Sequence, residues 1–123
     1  MRIAIAIAMV LHGAAHLVGF AESWQIAATE SAPFKTTVLS GRLNLGLVGI
    51  RLGGVLWLLA ALAFGLVAAG ALMNTEWWVS MAMPTAVSSL VLSVIWWPES
   101  RTGVAVNAVL IAALLVGRHL GFV

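Results

Sequence analysis

Charged residues are scarce in this sequence, and cysteine and tyrosine are absent. Only six Lys or Arg and four Asp or Glu occur among 123 residues. Without cysteine there are no disulfides, thiolate metal ligands or thiol nucleophiles. A soluble domain carries about 25% charged residues to cover its surface. The 8% found here is too little for that, so the main solvent of the protein is predicted to be lipid.

Apolar residues make up 63% of the chain and fall into four long runs. A helix needs about 20 apolar residues to cross a bilayer. Four such helices are predicted, at 3–20, 45–72, 77–97 and 102–120. They use up the chain, which predicts one all-α membrane domain over 1–123, a four-helix bundle. The few cations are scattered, so we expect the lipid bilayer and not a nucleic acid as partner.

The connection between the first two predicted helices, residues 21–44, is unusually long. Structureless loops of this length are uncommon in compact domains unless they serve a function. A short helix lying in the membrane interface is therefore expected within this connection, with Trp24 and Phe34 in the headgroup layer.

Polar side chains recur at one depth, near the end of the bundle that carries the long connection. Every predicted helix contributes at least one, and ionisable residues inside a membrane normally face protein or a cavity. A pocket opening toward the long connection is predicted, with Trp24, Trp57 and Trp96 in its walls. The candidate ligand-binding residues are His12, His16, Glu22, Arg51, Ser93, Trp96 and Asn107.

His12 and His16 share one helix face because they are four residues apart. They either bond neighbouring helices, contact a ligand such as a haem or quinone, or ligate a metal. No metal site is predicted, since a transition metal normally needs a third or fourth ligand. Thr85, Ser89 and Ser93 also repeat every four residues, and their hydroxyls are expected to bond their own preceding carbonyls.

The stretch His12-Gly13-Ala14-Ala15-His16-Leu17-Val18-Gly19-Phe20 resembles an HGxxHLxGF signature of small, uncharacterised four-helix bacterial membrane proteins. The segment from Trp96 to Gly103, followed by Asn107, is similar to a second patch in that group. The general plan is similar to the DoxX-like small membrane proteins. This resemblance implies four helices in the bacterial cytoplasmic membrane, and it implies no activity.

Three functions agree with these features. The first is a membrane-embedded binding protein, or a subunit associated with redox or transport, whose pocket holds a lipid-like, quinone-like or small anionic ligand. The second is a structural or assembly subunit, forming a homodimer or joining a larger membrane complex. The third is an enzyme that uses His16 as general base and Arg51 as electrostatic stabiliser. The enzyme is the least favoured, because no nucleophile or carboxylate is clearly placed beside the histidines.

Overall fold

Four long helices and one short β-hairpin make up the fold. The computed structural model describes residues 2–26 and 34–123. The elements in chain order are α1 (Arg2–Ser23), β1 (Thr37–Val38), β2 (Leu43–Asn44), α2 (Gly46–Leu72), α3 (Trp78–Ile95) and α4 (Arg101–His119). Each helix is long and apolar enough to cross a membrane. The prediction of a helical protein with four such helices is confirmed.

Helix α1 extends further than its hydrophobic run. The sequence analysis ended this helix at Phe20, whereas the observed helix continues through Ser23. The Ser23 hydroxyl donates to the Gly19 carbonyl at 2.7 Å, and the Trp24 N–H donates to the Phe20 carbonyl at 3.1 Å. Helical hydrogen bonding therefore passes through the polar residues, and Glu22 belongs to the last turn of α1.

The described part of the long connection contains a hairpin. Residues 27–33 of the expected interfacial helix lie outside the described residues. Strands β1 and β2 pair antiparallel. At the tip, the N–H groups of Leu39 and Ser40 donate to the carbonyls of Ile95 and Trp97, each at 2.9 Å. Since carbonyls at a helix end lack partners within the helix, the hairpin satisfies the carboxyl end of α3.

Helices that are consecutive in the chain pack against one another, and the contact between α1 and α2 is the most extensive. Small residues allow this approach. A Cβ atom placed on Gly13 would lie 2.9 Å from the Cβ of Phe64 and 3.2 Å from the carbonyl oxygen of Ala61. A side chain at Gly13 would therefore separate the two helices.

The apolar core lies in the half of the bundle away from the hairpin. All four helices contribute to it, with alanines at several contacts that bring the helices close together. Its buried residues are Ala6, Met9, Phe64, Val67, Ala68, Ala71, Trp78, Ala82 and Leu114. The half nearer the hairpin holds the polar side chains, so the two ends of the bundle differ in chemistry.

Candidate functional site

Two histidines and a serine form a hydrogen-bonded chain at mid-height in the bundle. His16 Nδ1 donates to the His12 carbonyl at 2.8 Å. A neutral imidazole carries one N–H, so His16 Nε2 is then an acceptor. The Ser89 hydroxyl lies 2.6 Å from that nitrogen and donates to it. The HGxxH spacing thus fixes the tautomer of His16 through the backbone of its own helix.

Asn107 closes this chain into a network. Its Oδ1 accepts from His12 Nε2 at 3.1 Å, while its Nδ2 lies 2.8 Å from Ser89 Oγ and 2.9 Å from the Gly103 carbonyl oxygen. Both Asn107 and Ser89 are 0% exposed. The network of His12, His16, Ser89 and Asn107, called the polar network below, joins α1, α3 and α4.

Helix α2 covers the two imidazoles with aromatic rings. The ring centroids of His12 and Phe64 are 4.9 Å apart, and those of His16 and Trp57 are 5.1 Å apart, both in edge-on arrangements. This cover keeps water away from the polar network. Hydrogen bonds in such a low-dielectric surrounding are strong, and leaving one unmade is costly.

The polar network contains the kinds of side chain that perform acid–base chemistry in enzymes. Ser89 lies beside His16, and a serine next to a histidine can form a nucleophile–base pair. The sequence analysis had found no nucleophile beside the histidines. Two features oppose its use in catalysis. Ser89 is fully buried, and its oxygen already accepts the Asn107 N–H. The Nε2 atoms of both histidines and the Nδ1 atom of His16 are engaged as well, so a haem iron or metal ion bound at any of these three atoms would have to displace a protein partner.

A cavity of about 460 Å³ lies between the polar network and the hairpin. Its walls come from α1, α2, the end of α3, the segment before β1, β1 itself and the turn before α4. Aromatic and aliphatic side chains line one part, and charged or hydroxyl side chains the other. The lining residues are Ala15, Val18, Gly19, Glu22, Ser23, Phe34, Lys35, Thr37, Ile50, Trp57, Trp96, Glu99 and Ser100.

Trp57 connects the cavity with the polar network. It lines the cavity, contacts His16 and meets Trp96 edge-on, with ring centroids 5.8 Å apart. The residue is 5% exposed, and its indole N–H has no hydrogen-bond partner among the described residues. The indole nitrogen itself is buried, so Trp57 contributes its ring to the cavity wall.

One ion pair is found within residues 2–26 and 34–123, and it lies at the cavity. Lys35 Nζ is 3.1 Å from Glu99 Oε1, and both side chains are about half exposed. Partial burial raises the pKa of Glu99, but its own backbone N–H and the Lys35 ammonium outweigh that effect and lower the pKa below its ordinary value. Glu22 also lines the cavity and takes no part in this pair.

Apart from Arg51, the candidate residues from the sequence analysis separate into three groups. His12, His16 and Asn107 meet in the polar network, whereas Glu22 and Trp96 line the cavity. Ser93 is buried, and its hydroxyl has no hydrogen-bond partner among the described residues. Within the described part of the chain, no group of three or more His, Asp or Glu residues is arranged to hold a metal ion.

Arg51 lies apart from both sites. Its side chain is exposed on α2, and its guanidinium carbon is 5.3 Å from the centroid of the Trp24 ring. Trp24 in turn donates its indole N–H to the Arg51 carbonyl at 3.0 Å. The sequence analysis had placed Arg51 in the predicted pocket. In the structure, this cation–π contact holds its guanidinium outside the cavity.

The sequence analysis missed the interhelical role of Ser89 and the place of Lys35 and Glu99 at the cavity. Thr85 bonds its preceding carbonyl, that of Met81, as expected. For Ser89 the same expectation is wrong, because its hydroxyl bonds His16 across the bundle. It is wrong for Ser93 as well, whose buried hydroxyl does not bond its preceding carbonyl. The four-residue repeat identified the face of α3, but it did not distinguish a local acceptor from one on another helix.

Comparison with known proteins gives no match to a family model, a curated protein or a solved structure. The likeness of the His12–Phe20 stretch to small bacterial membrane proteins therefore remains a resemblance, and the function has to be argued from the site.

Proposed function

We propose that this protein lies in the bacterial cytoplasmic membrane and binds an amphiphilic small molecule in the cavity beside the hairpin. The observation that carries the proposal is the cavity of about 460 Å³, because one lining combines aromatic side chains with charged ones.

The volume and chemistry of the cavity support this proposal. Small-molecule sites span about 300–1,000 Å³ and combine apolar walls with a few polar groups. At about 460 Å³ the cavity falls in that range. Its lining combines aromatic side chains, such as Trp57 and Trp96, with the charged side chains of Glu22, Lys35 and Glu99, and such a mixed lining suits an amphiphile. A redox or transport role would then follow from the identity of the molecule.

The polar network has a different role in this proposal. It holds three helices together, and its side chains do not line the cavity. Both ring nitrogens of His16, both amide atoms of Asn107 and the Ser89 hydroxyl already have protein partners. A ligand therefore gains little from His16, Ser89 or Asn107 directly, and the link between the cavity and His16 is the ring of Trp57.

Photocrosslinking tests the proposal. An alkyl alcohol with a diazirine in its chain would be activated on the purified protein in lipid nanodiscs, and labelled residues would be mapped by mass spectrometry. Labelling is expected at cavity-lining residues and should disappear in Ala15→Trp, which fills the cavity. Ala14→Trp is the matched control, since Ala14 is exposed and does not line the cavity. Equal labelling of both variants would refute the proposal.

A structural or assembly subunit, including a homodimer, is the second candidate. It is favoured by an apolar groove of about 310 Å³ between α1 and α4, lined in part by Ala4, Ala8, Ala113 and Gly117. Small residues of this kind let another helix approach closely. Under this alternative, a bifunctional crosslinker would join protein chains through the groove, and the diazirine probe would leave the cavity unlabelled.

A further inference from the structure

The charges around the cavity are unequal. Two carboxylates, Glu22 and Glu99, and one ammonium, Lys35, are among its lining residues. Lys35 is paired with Glu99 at 3.1 Å. The pair neutralises itself, so Glu22 is left as the excess charge among the described lining residues. None of these lining residues is an arginine, and Arg51 is held over Trp24 instead.

The aromatic side chains of the cavity also favour a positively charged ligand, as Glu22 does. Phe34, Trp57 and Trp96 all line the cavity. The face of an aromatic ring carries negative charge density and attracts cations, most strongly for tryptophan. The rings of Trp57 and Trp96 are nearly perpendicular, at 80°. Two perpendicular aromatic walls with a carboxylate on the same cavity are the arrangement that binds organic ammonium groups.

We infer that the ligand is a cationic amphiphile, in which an organic ammonium group is paired with Glu22 and bounded by Trp57 and Trp96. This inference rests on the proposed function and narrows it to one class of molecule. A small anionic ligand, one of the three classes left open by the sequence, would meet unfavourable charge at Glu22. A neutral quinone would leave Glu22 unused.

Three probes with the same diazirine-bearing alkyl chain test the charge. Their headgroups are trimethylammonium, hydroxyl and sulfonate. In the wild-type protein, the ammonium probe should label the cavity most and the sulfonate probe least. Glu22→Gln should lower the ratio of ammonium to hydroxyl labelling about tenfold, because it removes the carboxylate and keeps its shape. Glu76→Gln is the control, since Glu76 is an exposed carboxylate at the opposite end of α2.

The outcomes separate this inference from the proposed function. If the hydroxyl probe labels the cavity in a manner that Ala15→Trp abolishes, while Glu22→Gln leaves the ratio unchanged, the cationic inference is wrong and the amphiphile site stands. Preference for the sulfonate probe would also overturn the inference. If no probe labels the cavity, the binding function itself is wrong.

Discussion

At the scale of single residues, Asn107 is the point where three helices meet. Its carboxamide presents an acceptor to His12 and donors to Ser89 and Gly103. The side chain thus accepts through its oxygen and donates through its nitrogen. Aspartate has no N–H donor and leucine has neither group, so neither residue can replace Asn107. In lipid no water replaces a lost partner, and unsatisfied polar groups cost several kcal/mol.

Ser89 provides the sharpest test of the polar network. Ser89→Ala removes one hydrogen bond to His16 and one from Asn107, and we expect it to lower the free energy of unfolding by about 1–2 kcal/mol. Ser88→Ala is the control, because Ser88 is exposed on the same helix. Unfolding in mixed micelles measures both changes. Equal stability of the two variants would show that the network contributes nothing to the fold.

The ion pair at the cavity predicts a titration. Since the pKa of Glu99 is lowered, its carboxylate contributes stability at neutral pH that is lost as the pH falls through that lowered value. Carbon-detected NMR of the carboxyl group should give a midpoint below the ordinary 4.5. Lys35→Met should move the midpoint upward. A wild-type midpoint above 4.5 would contradict the pairing.

At the scale of elements, the sequence was sufficient for the helices and insufficient for the hairpin. Long apolar runs give helices in lipid because only a helix satisfies its own backbone there. Two-residue strands leave no periodic pattern, and the hairpin at Leu39 and Ser40 is held by carbonyls of a distant segment. Such a contact depends on tertiary structure, which composition does not reveal.

The same limit applies to the candidate site. The four-residue spacing of His12 and His16 predicted their common face, but the partner of His12 is 95 residues away along the chain. Depth alone also grouped Arg51 with the other polar residues. Arg51 lies on an exposed face of α2, beside the ring of Trp24. The depth of a residue in the membrane does not tell which way its side chain points around the helix.

The α1–α2 contact predicts a pair of glycine variants with opposite effects. Gly13→Ala would place its Cβ within 2.9 Å of Phe64 Cβ, so the helices must separate and stability should fall by about 1–3 kcal/mol. A Cβ on Gly65 meets nothing within 4 Å, and Gly65→Ala should be neutral or stabilising. Thermal unfolding in detergent compares them. A stable Gly13→Ala protein would disprove the close approach.

At the scale of the molecule, many large apolar side chains are exposed while several polar side chains are buried. Leu11 and Val109 are 67% and 68% exposed, whereas Asn107 and Ser89 are wholly buried. In water, a protein with so large an exposed apolar surface would aggregate. In a membrane, exposing these apolar side chains to acyl chains has no free-energy cost. Apolar contacts then provide no hydrophobic driving force for helix association, and hydrogen bonds between the buried polar groups hold the helices together.

This distribution predicts how the protein fractionates. After expression in bacteria, it should remain in the membrane pellet through extraction with alkaline carbonate and dissolve only in detergent. A peripheral protein held by charge would be released, because carbonate disrupts ionic contacts. A periplasmic enzyme and a known inner-membrane protein are the controls. Release into the supernatant would overturn the assignment to the membrane.

The hydrogen bond between His12 and Asn107 has a consequence for biosynthesis. The ribosome makes α1 first, and the acceptor for His12 arrives only with α4, 95 residues later. During that interval, the imidazole of an inserted α1 lacks its native partner in α4. Completion of α4 is thus the step that seals the bundle, and a chain truncated before it would display polar groups that membrane quality-control proteases can recognise.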